Sequence, residues 1–380
     1  MLKIKIHWML KESGELKQIS RRIMISGGGT GGHIFPALAI AQEFFSRNQQ
    51  HSILFVGAVG KMEMNSVPNS GFKIKGLWID GLQRRLSSRN ALLPLKLLVS
   101  LLQASLIISK FKPDIVIGTG GYASFPTLRV AQFLKKPTMI QEQNALVGIT
   151  NKLLSKRARK IFVAFDSDNG YFPKPKTVNL GIPIRDDIVS NLTENASAAI
   201  HYGFDPKKKI LLVLGGSLGA KKINHIIESQ LDLIRKLDYQ IIWQCGKIYF
   251  DQYAQLESAV VKVVPFVTHM SVAYSSADLI VCRAGAATIA ELCCVGKPSI
   301  LIPSPNVADN HQLHNARWLE SAGAAILLEE KDLNKKFPQV LKRLSGDKQK
   351  QKTLSKNISA LAKPHAAREI VNHIERELKW

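Results

Sequence analysis

The sequence predicts an α/β protein made of two doubly wound domains in tandem, facing each other across a crevice. Three observations carry that prediction. At 380 residues the chain exceeds what one hydrophobic core usually serves. Its strand-like segments are continuous apolar runs alternating with helical patterns, as expected for parallel strands covered on both faces. A unit of strand, glycine turn and helix also occurs twice, followed in both halves by matching elements in the same order.

The first unit is RRIMISGGGTGGHIFPALAIA, residues 21 to 41: an apolar strand, a turn that bares its backbone, and a helix with His33 at the junction. HSILFVGAVG is the next strand, PDIVIGTGG (113 to 121) and KPTMIQ (136 to 141) supply two more, and KIFVAF follows. The second half repeats the scheme with KKILLVLGGSLGAKKINHII (208 to 227), ADLIVCRAG (277 to 285) and KPSILI (297 to 302), so that Gly28-Gly29-Thr30 matches Gly215-Gly216-Ser217. The boundary is placed at Gly181-Ile182-Pro183. This gives an N-terminal extension of residues 1 to 20, a first domain over 21 to 182 and a second over 183 to 364. The extension is basic, with apolar runs too short and too interrupted for a signal-peptide core.

Composition narrows the function. The net charge of +23, from 52 Lys and Arg against 29 Asp and Glu, calls for anionic partners: nucleic acid, an anionic membrane or phosphorylated substrates. Aromatic content of 7% without a basic stripe or reading module argues against nucleic acid. The four cysteines, Cys245, Cys282, Cys293 and Cys294, show neither CxxC nor metal-ligand spacing and read as buried thiols. The apolar stretch ALLPLKLLVSLLQASLIISKF (91 to 111) approaches bilayer length but is interrupted by Pro94, Lys96 and Gln103, so a span is not expected. With Trp78, Leu82, Arg84, Arg85 and Arg89 before it, it reads either as an apolar surface ringed by arginines for anionic lipid or as a core helix behind a solvated loop.

In doubly wound folds, ligands bind beyond the carboxyl ends of the strands, where glycine turns and helix N-termini offer backbone N–H groups. The turns Gly27 to His33, Gly118 to Ser124, Gly215 to Gly219 and Arg283 to Thr288 all fall at such ends. Gly27, Gly29 and Gly32 satisfy GxGxxG, but the second strand ends in Gly57, Ala58, Val59 and Gly60 with no acid for a dinucleotide ribose, and His33 stands where a Walker lysine would be. Asp166-Ser167-Asp168 spells a metal-diphosphate motif but reads as a surface turn. Two anion cradles with a histidine between them remain. They suit group transfer between two diphosphates without a required metal or cofactor.

The motifs GGGTGGHIFPALAIA, GTGGYASFP, QEQNALVGITNKLL, GIPIR, GGSLGA, PFVTHM, CRAGAATIAEL and PSPNVADNHQLHNA, in this order, closely resemble the MurG family of bacterial peptidoglycan glycosyltransferases. The resemblance runs from about Arg22 to the C-terminal helix, which it places at His365 to Leu378 and returns to the first domain. It implies a GT-B fold of two Rossmann-like domains. The implied reaction is inverting transfer of N-acetylglucosamine from UDP-N-acetylglucosamine to the C4 hydroxyl of undecaprenyl-diphosphate-linked N-acetylmuramoyl-pentapeptide, at the cytoplasmic face of the inner membrane, with cell-wall synthesis proteins as further candidate partners. A related transferase acting on another lipid acceptor is the alternative.

Carried onto this sequence, the family pattern gives the donor to the second half. It implies Ser217 and Arg185 at the nucleotide diphosphate, Glu291 at the ribose, the Val267 backbone at uracil, Ala286, Ala287, Thr288, Ile289 and Ala290 under the diphosphate, and Gln312 at the sugar. Gly29, Thr30 and Gly31 with Gly120, Gly121 and Tyr122 resemble the acceptor-diphosphate loops, and Thr30, Gly31, Gly32 and Asn144 also border the donor. An inverting transfer needs a base near the attacking hydroxyl. His33 is the candidate, since a free imidazole titrates at about 6.5; Glu142 is the alternative, and Asn144 can only position. A lipid-linked acceptor makes the segment from Trp78 to Leu102 a candidate membrane-docking surface.

Overall fold

A computed structural model describes residues 19–81, 92–165, 170–184, 188, 195–216 and 218–380. Leu82, Arg84, Arg85, Arg89, Arg185, Ser217, Asp166 and Asp168 lie outside the described residues, as does nearly all of the N-terminal extension.

Two parallel sheets organise the chain. The first holds β1 (Arg22–Gly27), β2 (Ser52–Ala58), β3 (Lys73–Leu77), β4 (Ile115–Gly120), β5 (Thr138–Glu142), β6 (Lys160–Val163) and β7 (Thr177–Asn179), in the order β3-β2-β1-β4-β5-β6-β7. The second holds β8 (Lys209–Leu214), β9 (Tyr239–Gln244), β10 (Val261–Val264), β11 (Leu279–Cys282), β12 (Ser299–Leu301) and β13 (Ile326–Leu327), in the order β10-β9-β8-β11-β12-β13. Every named strand pairs in parallel.

The strand order reverses between β1 and β4 in one sheet and between β8 and β11 in the other. A doubly wound sheet opens its ligand crevice at that reversal, because the connections leave in opposite directions. The repeat found in the sequence therefore has a spatial meaning: each half places its two glycine turns side by side at its own switch point. Alternate residues of one strand serve opposite faces; Ile23 and Ile25 join one core cluster and Met24 the other. This two-sided burial is why the central strands β1, β4, β8 and β11 are largely apolar.

The C-terminal helix Ala366–Leu378 buries Ile370, Val371 and Ile374 in the core of the first domain. Arg47, at the end of the Gly31–Arg47 helix, clamps it there: the guanidinium donates to Glu375 at 2.6 Å, Asn372 Oδ1 at 2.8 Å and the Arg368 carbonyl at 3.2 Å, while also pairing with Glu43. Partly buried charge-assisted bonds of this kind hold more firmly than exposed pairs.

The Leu93–Phe111 helix is long and apolar enough, by length and composition alone, to cross a membrane. It is instead laid along the domain through Ser100, Ala104 and Ile108, a stripe at spacing four. Its outward stripe is Leu95, Leu98, Leu102 and Leu106, between 49% and 72% exposed. Ser100, Ala104 and Ile108 face in while these four leucines face out, so this surface carries an apolar patch not covered by the described residues. Trp78, 41% exposed, stands beside it, with its main-chain N–H donating to Gln103 Oε1 and Lys96 over its ring.

Candidate active site

In the first domain β1 runs into Gly28 and Gly29, and Thr30 in extended conformation starts the Gly31–Arg47 helix. Its side chain makes no cap bond and the first turn has no acid, leaving the N–H groups of Gly31 and Gly32 uncapped at the positive end of the helix. The β4 turn closes against this loop. Gly28 N–H donates to the Gly120 carbonyl at 3.3 Å, and a Cβ on Gly121 would come within 2.2 Å of the Gly28 carbonyl oxygen. With φ of +85°, Gly121 has to be glycine for both reasons. The half-exposed Tyr122 ring lies beside Gly29 and fills the space a side chain at Gly81 would need.

Glu63 organises the same loop and was not singled out in the sequence. It is 1% exposed, and its carboxylate accepts from Gly29 N at 3.0 Å and from Ala58 N at 3.0 Å. The Gly29 N–H is therefore already bonded, and Gly31 and Gly32 are the uncapped donors of the cradle. The only sequence signal was an acid five residues past the end of β2.

His33 stands in the third position of that helix. Its Nδ1 lies 2.9 Å from the Thr119 carbonyl and 3.1 Å from Gln143 Oε1, and Thr119 Oγ1 donates back to the His33 carbonyl at 2.9 Å. The ring rests on Gly120, where a Cβ would approach it to 2.8 Å. The histidine is thus held against the β4 and β5 ends at the switch point.

Glu142 closes β5, is 2% exposed and is saturated by its own loop. Oε1 accepts from Asn144 N at 3.0 Å, and Oε2 accepts from Gly148 N at 3.1 Å and Asn151 Nδ2 at 2.9 Å. A carboxylate so placed orders the segment that carries Asn144. Asn144 in turn meets the second domain: Asn315, fully buried, donates to Asn144 Oδ1 and to the Ala284 carbonyl, each at 3.3 Å, and accepts from Ala145 N at 2.9 Å. Asn315 sits inside the DNHQLHNA stretch but was not singled out there.

In the second domain, Gln244 ties two loops together. Its Nε2 donates to the Gly216 carbonyl at 2.8 Å and its Oε1 accepts from Val267 N at 3.2 Å. Val267 is buried and its N–H is already engaged. The Ala286–Val295 helix starts after Gly285 without an acid in its first turn, so Ala286, Ala287 and Thr288 present a positive helix end. Ile289 is a core residue, and Ala290 borders a small apolar cavity between the domains, beside Cys293, Trp318 and Lys363. One turn further along, the half-buried Glu291 accepts from Tyr274 Oη at 2.8 Å. Gln312 Oε1 accepts from Ser304 N at 2.8 Å, which turns its NH2 end toward other partners.

Arg283 at the end of β11 donates to the Ile302 carbonyl and pairs with Glu330 at 2.5 Å, which fixes the turn preceding the helix. Burial pushes the thiols of Cys282 and Cys293 up to about 12, so both are protonated and unreactive at neutral pH. Among the described residues no group of three or more His, Cys, Asp or Glu converges as a metal site.

Comparison with known proteins matches both halves of the chain. Residues 23–163 match the glycosyltransferase family 28 N-terminal domain and residues 210–371 its C-terminal domain. The UDP-N-acetylglucosamine--N-acetylmuramyl-(pentapeptide) pyrophosphoryl-undecaprenol N-acetylglucosamine transferase of Flavobacterium psychrophilum is 49% identical over 93% of this chain and 96% of its own length. The protein of the same name from Christiangramia forsetii is 46% identical over 93% and 97%. The crystal structure of Acinetobacter baumannii MurG superposes with a TM-score of 0.76 at 29% identity, covering 94% of this chain and 99% of that one. A kitacinnamycin glycotransferase at 15% identity and TM-score 0.73 shares the fold. The chain is a GT-B enzyme of glycosyltransferase family 28 and belongs to the MurG family of N-acetylglucosamine transferases.

Proposed function

We propose that this enzyme transfers N-acetylglucosamine from UDP-N-acetylglucosamine to the C4 hydroxyl of N-acetylmuramoyl-pentapeptide on undecaprenyl diphosphate, with inversion at the anomeric carbon. The observation that carries the reading is the pair of uncapped helix N-termini, at Gly31–Gly32 and at Ala286–Thr288, each at the switch point of its own sheet. One cradle takes the acceptor diphosphate and the other the donor diphosphate. Relatives named for this reaction cover nearly the whole chain.

In this reading, Glu291 accepts from the ribose hydroxyls, the Val267 carbonyl side meets uracil, and the Gln312 NH2 reads a hydroxyl of the sugar. The leaving UDP is stabilised by the Ala286–Val295 helix end, the family resemblance assigns Ser217 and Arg185 to the same diphosphate, and no metal is required. His33 accepts the proton of the attacking hydroxyl, Asn144 positions the sugars, and domain closure excludes water. The enzyme sits peripherally on the cytoplasmic face of the inner membrane. The Leu95, Leu98, Leu102 and Leu106 stripe and Trp78 rest among anionic headgroups, and the cell-wall synthesis machinery is its setting.

The test is transfer of radiolabelled N-acetylglucosamine from its UDP ester to a short-chain lipid-linked muramoyl-pentapeptide. A labelled disaccharide-lipid product is expected. UDP release only with a different lipid sugar would overturn the acceptor assignment.

A further inference from the structure

The surroundings of His33 determine which of its nitrogens can act. The Thr119 main-chain carbonyl can only accept a hydrogen bond. Gln143, 1% exposed, places Nε2 at 2.7 Å from that oxygen and also donates to Gln141 Oε1. The Thr119 carbonyl fixes the amide, because the nitrogen end of the carboxamide has to face it; a flipped amide would set oxygen against oxygen. The oxygen end is thereby aimed at His33 Nδ1, 3.1 Å away. Nδ1 then lies between two acceptors, Gln143 Oε1 and, at 2.9 Å, the Thr119 carbonyl. An unprotonated Nδ1 would face both oxygens with a lone pair, so this nitrogen keeps its proton.

We propose that Gln143 is a positioning residue that holds His33 in the Nδ1–H tautomer and thereby makes Nε2 the atom that takes up the proton of the acceptor hydroxyl. The proposal rests on the transferase reading above. In the step it serves, the acceptor C4 hydroxyl gives its proton to Nε2 as its oxygen forms a bond to the anomeric carbon. The anomeric C–O bond to UDP breaks, and its electron pair leaves on the UDP β-phosphate oxygen. The imidazolium then carries both protons, with Nδ1–H still shared between Thr119 and Gln143. A carboxylate in the place of Gln143 would stabilise the imidazolium but would set an oxygen against the Thr119 carbonyl, to which Gln143 donates. A neutral carboxamide orients the ring without adding that charge.

Long-range 1H–15N correlation spectra of protein labelled with 15N-histidine test the tautomer directly, with the His33 signals assigned by their loss in His33→Gln. Neutral wild-type His33 is expected to carry its proton on Nδ1; a proton on Nε2 would overturn the proposal whatever the enzyme's substrate. In kinetics, Gln143→Met is expected to lower kcat at least tenfold while both KM values stay within twofold; an unchanged kcat would overturn it. Gln143→Glu is expected to move the acid limb of the pH–rate profile up by about one unit, as an opposite charge beside an imidazole does. An unmoved limb would put the residue 143 side chain out of reach of the His33 ring, and that result too would overturn the proposal. Failure of the wild type to make the disaccharide-lipid would remove the transferase reading and leave the tautomer measurement standing.

Discussion

Glu142→Gln separates the two roles open to that carboxylate. The side chain accepts from Asn144 N, Gly148 N and Asn151 Nδ2, all within 3.1 Å, in a site 2% exposed. A carboxamide keeps one accepting oxygen. Its NH2 would oppose Gly148 N and Asn151 Nδ2, and only the second can be relieved, by a flip of the Asn151 amide, whose Oδ1 has no partner among the described residues. One buried N–H is then stranded, at a cost of about 1–3 kcal/mol. At about 2–4 °C per kcal/mol for a domain of this size, the melting transition of the first domain drops by about 2–12 °C. Differential scanning calorimetry and steady-state kinetics on one preparation give both numbers. Loss of loop order alone predicts a lower Tm, a kcat reduced by less than about tenfold and an unmoved acid limb. If kcat fell by the 10²–10⁴ typical of a lost general base while Tm held, the reasoning would be refuted and Glu142 would be the base.

Glu63→Ala strands the N–H groups of Gly29 and Ala58, so it should raise the acceptor KM and lower stability by about 2–6 kcal/mol while leaving the donor KM unchanged, as read by two-substrate kinetics and urea unfolding. Replacing Leu102 and Leu106 by Glu together should cut partition onto anionic vesicles at least tenfold without changing kcat on a short-chain soluble acceptor, since each leucine gains about 1.5–3 kcal/mol on full transfer from water; equal vesicle binding by the double variant would contradict the docking surface. Burial holds the imidazoles of His51 and His373, on the two sides of the C-terminal helix contact, below their ordinary range. The unfolded chain therefore takes up protons first as pH falls below about 6.5, and Tm measured at pH 5.5 should be lower than at pH 7.5, with the difference reduced in a His51→Gln, His373→Gln variant. Prolonged EDTA treatment should leave transfer within twofold of the untreated enzyme, as a cradle of backbone dipoles requires.

The parts of this molecule legible in the sequence are those with a local cause. Glycine turns, continuous apolar strands and their repetition betray two tandem parallel sheets because each depends on backbone geometry within a few residues. The short edge strands β3, β7 and β13 left no such trace; the two- and three-residue strands are too brief for any pattern, and KIKGL is half polar. Glu63, Gln143, Gln244 and Asn315 were passed over for a different reason. Each is a polar side chain whose partners lie mainly in distant loops, and nothing in local spacing announces that. Glu142 was visible as an acid at a strand end, yet only the coordinates reveal that its oxygens are already in use. The leucine-rich helix left two readings open for the opposite reason: hydropathy registers Leu95, Leu98, Leu102 and Leu106 without saying that Ser100, Ala104 and Ile108 are turned inward.

The central claim is that donor and acceptor occupy separate cradles, one per domain, with His33 acting between them. Two-substrate kinetics of Glu291→Ala and His33→Ala, with UDP-N-acetylglucosamine and a short-chain lipid-linked muramoyl-pentapeptide varied in turn, test it most directly. The account predicts that Glu291→Ala raises the donor KM at least tenfold and leaves the acceptor KM alone, whereas His33→Ala lowers kcat by 10² or more with the donor KM unchanged. A His33→Ala enzyme that keeps its kcat, or a Glu291→Ala enzyme whose defect lies in the acceptor KM, would contradict it.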